Sequence, residues 1–194
     1  MLSAVGCMYQ PWEPRSALAA KPDPPLTAPA GSAIVAVFVA MPQGAGNGAY
    51  TVFDADGPIA QFDSIVAGWS MTQAKPGKHS YYVRAWSSLG CVRLDAELAA
   101  SKIYVIALNA AHDRLDFAHR VPHFLSPGDA MHPAAQLGSL AYYVLDRSAA
   151  RADIAAHESQ KAECMAKADA AFMQHPLPLP VGFDSIDWTP PSAR

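Results

Sequence analysis

Val92-Arg93-Leu94-Asp95-Ala96-Glu97-Leu98 decides the fold class. Apolar and charged residues alternate without a break, and a period of two puts every apolar side chain on one face of an extended strand. Just downstream, Ile103–Leu108 is apolar at every position, as expected of a strand covered on both faces. Ala33–Met41 reads the same way, and its β-branched residues favour strand over buried helix. Tyr81–Trp86 is aromatic and β-prone. Tyr50–Phe53 and Ile59–Phe62 flank Asp54-Ala55-Asp56-Gly57, a turn with a glycine free to take positive φ. Lys75-Pro76-Gly77-Lys78 is a second strong turn signal, with proline and glycine in type II positions. Short strands at this spacing predict a mainly β fold, an antiparallel, immunoglobulin-like β-sandwich.

Beyond Pro133 the pattern changes. Asp146 is a plausible N-cap for an alanine-rich stretch running to about Met173, where Ile154, Met165, Ala168 and Phe172 share a face interrupted by Lys161. This predicts one helix of about seven turns, closed by Pro176. A shorter helical segment is expected at Ala134–Leu140.

Proline is concentrated in two tracts, Pro11–Pro29 and Pro176–Pro191. It removes a backbone donor and restricts the preceding residue, so neither tract suits a helix or a central strand. The expected organisation is a tether over residues 1–31, a β-sandwich over 32–145, a helix packed on it over 146–175 and a proline-rich tail over 176–194. In that tail Phe183-Asp184-Ser185-Ile186-Asp187-Trp188 is expected to dock back on the domain.

The chain has 194 residues, 17 acidic against 14 basic, and 16% charged residues. The absence of any Lys/Arg run argues against a nucleic-acid binder, which needs clustered cations. The longest apolar stretch is far short of the roughly 20 residues a membrane-spanning helix requires. Cys7, Cys91 and Cys164 lie far apart, which excludes CxxC zinc and redox motifs. Cys91 and Cys164 either pair in an oxidising compartment or remain separate thiols, buried or partly exposed.

The turn Lys75-Pro76-Gly77-Lys78-His79 before an aromatic strand, the alternation of Val92–Leu98, and Ala99-Ala100-Ser101-Lys102-Ile103-Tyr104-Val105 together resemble a family of uncharacterised bacterial envelope domains of lipoprotein type. The resemblance spans roughly Ser32 to Met173, and Leu140–Asp146 with the helix after it is similar to the family's C-terminal part. It implies a small β-sandwich presented at the cell envelope, and it carries no catalytic residues to transfer. Leu2-Ser3-Ala4-Val5-Gly6-Cys7 resembles a lipobox, with Cys7 as the lipidation site, although Ala4 stands where leucine is usual. Six residues are too few for the apolar stretch of a signal peptide, so lipidation requires a longer reading frame upstream. Met8 after the cysteine, rather than an aspartate, favours the periplasmic face of the outer membrane.

Several constellations compete for chemistry. Ser88-Leu89-Gly90-Cys91-Val92-Arg93 resembles the nucleophile segment of L,D-transpeptidases, with Leu89 in place of the motif histidine. That chemistry needs an activated Cys91 thiolate; the alternative is that Cys91 merely opens a strand, with Arg93 on its solvent face. His112, Asp113, Asp116, His119, His123, Asp129 and His132 are ligands suited to a divalent metal, but their spacing is irregular and surface or loop histidines are the default reading. Asp54, Asp56 and Asp63 offer carboxylates for calcium but lack the rest of an EF-hand, so a hairpin turn is the simpler reading. Trp69, Tyr81, Tyr82, Trp86, Tyr104, Tyr142 and Tyr143 are numerous. Most belong in a core, while Trp69, Tyr82 and Trp86 are candidates to stack on a glycan or anchor a partner. The expected function is a non-catalytic envelope module, structural or binding a protein or glycan, without a cofactor.

Overall fold

A computed structural model describes residues 18–21, 26–39, 50–62, 68–85, 90–108, 122–125, 140–174, 176–177, 179–184 and 186. The chain is mainly β, with two sheets and a helical C-terminal part. The strands are β1 (Leu18–Lys21), β2 (Ala33–Val39), β3 (Tyr50–Asp54), β4 (Gly57–Phe62), β5 (Gly68–Ala74), β6 (Gly77–Ala85), β7 (Cys91–Leu98), β8 (Ile103–Ala107), β9 (His123–Phe124) and β10 (Ala141–Leu145). Two helices follow, α1 (Arg147–Ala156) and α2 (Glu158–Gln174).

One sheet has the order β1-β10-β5-β2-β8-β9 and the other β4-β3-β6-β7. The chain crosses repeatedly between them. The Lys75–Lys78 turn is such a crossing: it joins β5 in the larger sheet to β6 in the smaller, with Gly77 at φ +128°. The chain turns there as predicted and Gly77 takes a positive φ, but Gly77 already belongs to β6, and the bend links the two layers. Asp54–Gly57, in contrast, closes a true β3–β4 hairpin, whose register shifts between Val52 and Phe53.

The alternation of β7 becomes packing. Leu94, Ala96 and Leu98 are buried between the sheets beside Val35, Val37, Val52, Phe62, Tyr81, Val83 and Ile106, so the two layers meet face to face. β2 and β8 are buried along their whole length because the larger sheet is covered on both sides. Its outer face carries Ile34, Ala36, Phe38, Trp69, Val105 and Tyr142, covered in part by Leu26, Leu125 and Ile186. The tail docks as expected: Phe183 and Ile103 exchange two backbone hydrogen bonds of 2.8 and 2.9 Å.

Three expectations are corrected, and one strand is added. The sheets are not purely antiparallel, since β2 runs parallel to β8 and β10 parallel to β5. The tether region contributes β1, which pairs with β10 from Leu18↔Leu145 to Lys21↔Tyr142; it is an edge strand, the place in a sheet where a proline-flanked segment fits. Ala141–Leu145 is a strand, a reading its short apolar run did not prompt. The single helix is two. Asp146 caps α1 as predicted, its carboxylate accepting from the amides of Ser148 and Ala149 at 3.0 Å. At His157, however, the ring Nδ1–H donates to the Asp153 carbonyl at 2.7 Å. That is the acceptor an α-helical His157 amide would use, and the amide turns instead to Ile154 O at 3.0 Å. The break lets α1 lie against β4 while α2 runs over β7 and β6. No helix among the described residues is long and apolar enough to cross a membrane. The helix expected at Ala134–Leu140 lies outside the described residues except for Leu140, which is in a bend.

Candidate functional site

Two features of the molecule gather polar chemistry. The first is the seam between β7 and α2. Cys91 opens β7 on the outer face of the smaller sheet, and its sulfur is bonded to that of Cys164, one of only two buried residues of α2. Two residues further along the same face, Arg93 forks onto Asp95, with Nε to Oδ1 at 2.8 Å and Nη2 to Oδ2 at 2.9 Å. Its remaining nitrogen, Nη1, donates to Asp169 of α2 at 3.0 Å, and the guanidinium lies 4.8 Å from the centroid of the Phe172 ring. The Tyr82 hydroxyl donates to the same Asp169 oxygen at 3.0 Å. Burial pushes the Asp95 carboxyl up, but the Arg93 guanidinium and the Ser80 hydroxyl outweigh it and hold the group below the ordinary carboxylate range. Asp95 in turn raises Arg93, which is a permanent cation here. Burial, then the bond to Asp169, raises Tyr82.

This seam settles where several candidates sit. Cys91 is not a free thiolate in this structure, and Arg93 is held by two carboxylates. The alternation that predicted a half-buried β7 is correct, yet the face expected to meet solvent is covered at Cys91 and Arg93 by α2. Tyr82 is buried, stacked on Phe53 with centroids 5.6 Å apart. Trp69 is fully buried on the other side of the molecule, 4.6 Å from the Tyr142 ring. Neither presents a free ring face for stacking. Tyr81, Tyr104 and Tyr142 are also buried, in keeping with the core reading, and Tyr143 is half-buried. Trp86 and Cys7 lie outside the described residues, as do His112, Asp113, Asp116, His119, Asp129 and His132. His123 is in β9, paired with Ala107. Among the described residues no three His, Cys, Asp or Glu side chains converge as metal ligands.

The second feature is a groove at one end of the sandwich, where α1 begins beside β4 and β5. A space of about 530 Å³ is lined by Thr27, Ile34, Ile59, Met71, Val144 and Leu145, with Thr72, Gln73 and Arg147 at its side. It adjoins a smaller space of about 170 Å³ that shares Ile59, Thr72, Gln73 and Arg147 and adds Asp54, Asp56, Lys75, His79 and Arg151. Arg147 and Arg151 are one helical turn apart and so project from the same side of α1. Arg147 donates to the Thr72 hydroxyl. Asp54 serves its own hairpin, accepting from the amides of Asp56 and Gly57 at 2.8 and 3.1 Å, as the turn reading required. Its second oxygen is 4.0 Å from Nδ1 of His79, whose Nε2–H donates to the Lys75 carbonyl at 2.8 Å. Burial raises the Asp54 carboxyl, against the opposing pull of its turn amides and His79. The carboxylates were legible in the sequence, but the two arginines were not: they lie some ninety residues downstream, and only the packing of α1 on β4 brings them to the same groove. No known family, curated protein or solved structure matches this chain.

Proposed function

We propose that this chain is a non-catalytic binding module of the bacterial cell envelope, carried on an N-terminal tether and anchored through lipid at Cys7. The observation that carries the reading is the Cys91–Cys164 disulfide, because such bonds persist in oxidising compartments outside the cytoplasm. The same bond engages the thiol that a cysteine-dependent transpeptidase would need free. A protein partner is preferred to a glycan, since Trp69 and Tyr82, two of the rings proposed for sugar stacking, are interior. The finer fold assignment that accompanies this reading is an immunoglobulin-like sandwich. Supporting it is Tyr104 near the start of β8, whose hydroxyl accepts from the Ala99 amide at 2.9 Å and donates to the Glu97 carbonyl at 3.2 Å. This is the kind of backward bond made by the tyrosine corner of such sandwiches.

The test is expression with the natural upstream coding sequence, followed by fractionation and mass spectrometry. The expected result is a lipidated Cys7 in the outer-membrane fraction, with Cys91 and Cys164 resistant to alkylation until a reductant is added. Unmodified Cys7 on soluble material overturns the anchor. Rapid alkylation of Cys91 without reductant, with cell-wall turnover abolished by Cys91→Ala, overturns the non-catalytic reading.

A further inference from the structure

We infer that the groove beside α1 binds a single-chain amphiphile with an anionic head, the tail lying along Ile34, Ile59, Met71 and Val144 and the head against Lys75, Arg147 and Arg151. The inference rests on the binding-module reading and adds to its protein partner a small-molecule ligand held in the groove.

Three observations carry it. The two spaces are continuous in their lining, since both touch Ile59, Thr72, Gln73 and Arg147. Their chemistry is graded. The larger end carries Ile34, Ile59, Met71, Val144 and Leu145 beside four polar side chains, and Val144 is left substantially exposed, at 41%. Its volume lies within the roughly 300–1,000 Å³ of typical small-molecule sites. The smaller end holds three cations, and among the described residues none of Lys75, Arg147 or Arg151 has a carboxylate within ion-pair distance. Two carboxylates, Asp54 and Asp56, line the same space, and Asp54 is turned to its own hairpin amides and to His79. The groove thus offers apolar surface at one end and, with three cations against two carboxylates, an excess of positive charge at the other. An acyl chain ending in a carboxylate or phosphate matches both ends, whereas an uncharged chain or a free anion matches only one. Arginine suits this role because its planar fork grips two oxygens of such a head.

The experiment uses the purified full chain with its disulfide intact and titrates dodecanoate below its micellar concentration by isothermal calorimetry. Inorganic phosphate tests the head alone, and dodecyltrimethylammonium tests a tail with the opposite charge. Expected is saturable 1:1 binding of dodecanoate, with phosphate and the cationic amphiphile each at least tenfold weaker. Arg151→Gln together with Lys75→Gln should weaken dodecanoate by about tenfold, and Val144→Asp by at least as much. All three positions are exposed, so circular dichroism should report an unchanged fold. Equal binding of the cationic amphiphile, equal binding of phosphate, or unchanged affinity in both variants overturns the inference. Absence of dodecanoate binding by protein that is lipidated at Cys7 and disulfide-bonded overturns the amphiphile while leaving the envelope-module reading in place.

Discussion

Cys91, the first residue of β7, and Cys164, in the middle of α2, are joined across 73 residues of sequence with their Cα atoms 5.3 Å apart. The bond closes a long loop onto a helix that buries little else, since Ala168 is the only other buried residue of α2. Loss of the cross-link should therefore be felt strongly. Cys91→Ala with Cys164→Ala is expected to lower unfolding free energy by about 4 kcal/mol, the chain-entropy value for a loop of this length. Urea unfolding with and without reductant checks it: reductant should shift the wild type toward the double variant and leave that variant unmoved.

Arg93 is the polar counterpart of that bond. Arg93→Ala removes a fork to Asp95, the link to Asp169 and the contact with Phe172. A cost of about 1–3 kcal/mol is expected, as for hydrogen bonds to charged groups with their partners left in place. Arg93→Lys should recover little, because a point charge cannot reproduce a planar fork that spans two carboxylates. Thermal melts of the two variants, compared at equal ionic strength, distinguish these outcomes.

The alkaline limb of stability has a clear sign. Burial raises Tyr50, Tyr81, Tyr82 and Tyr142 above the ordinary value of 10.0. Their contribution is complete below that pH and is lost as pH rises through the folded-state values, because the unfolded chain releases the protons first. Each such tyrosine steepens the loss by up to about 1.4 kcal/mol per pH unit. Tyr81, whose buried hydroxyl has no hydrogen-bond partner among the described residues, is the cleanest test. Tyr81→Phe should be near neutral at pH 7 and should flatten the decline above pH 10, measured by urea unfolding across that range. In acid the signs oppose. Asp95 is depressed and loses its contribution as pH falls through its folded value, whereas Asp54 is raised and contributes at low pH until pH rises through its own.

Gly68 is where β5 and β10 come together, and it has no room for a side chain. A Cβ there would sit 2.3 Å from the Tyr143 ring and 2.8 Å from the Ala141 carbonyl oxygen. Gly68→Ala should force β10 outward and cost about 1–3 kcal/mol, as overpacking does. Faster amide exchange across Ala141–Leu145, with β2 and β8 unchanged, is the expected signature.

How much of this was legible depends on the range of the forces involved. The period-two run at Val92–Leu98, the unbroken apolar runs of β2 and β8, the Asp54–Gly57 hairpin and the Asp146 cap are local in origin. Each follows from side-chain alternation, burial or turn chemistry within a few residues. The Cys91–Cys164 pair stood as one of two possibilities, because pairing depends on distance in space. Trp69 and Tyr82, two of the three aromatic candidates, illustrate a related point: composition reports that a ring is present, while only packing decides whether its face is open. Trp69 and Tyr82 lie under other residues.

By itself, then, the sequence determined a mainly β chain, the positions of β2 to β4 and β6 to β8, and the start of its helical end, while β5 and β10 were not read from it. Tertiary structure alone decided that β2 runs beside β8 in parallel, that Cys91 meets Cys164, and that Arg147 and Arg151 face the β3–β4 hairpin. Hydrophobic period and capping act over a handful of residues, whereas strand partners, disulfides and shared grooves are set by which faces must be buried together, a condition on the whole chain at once.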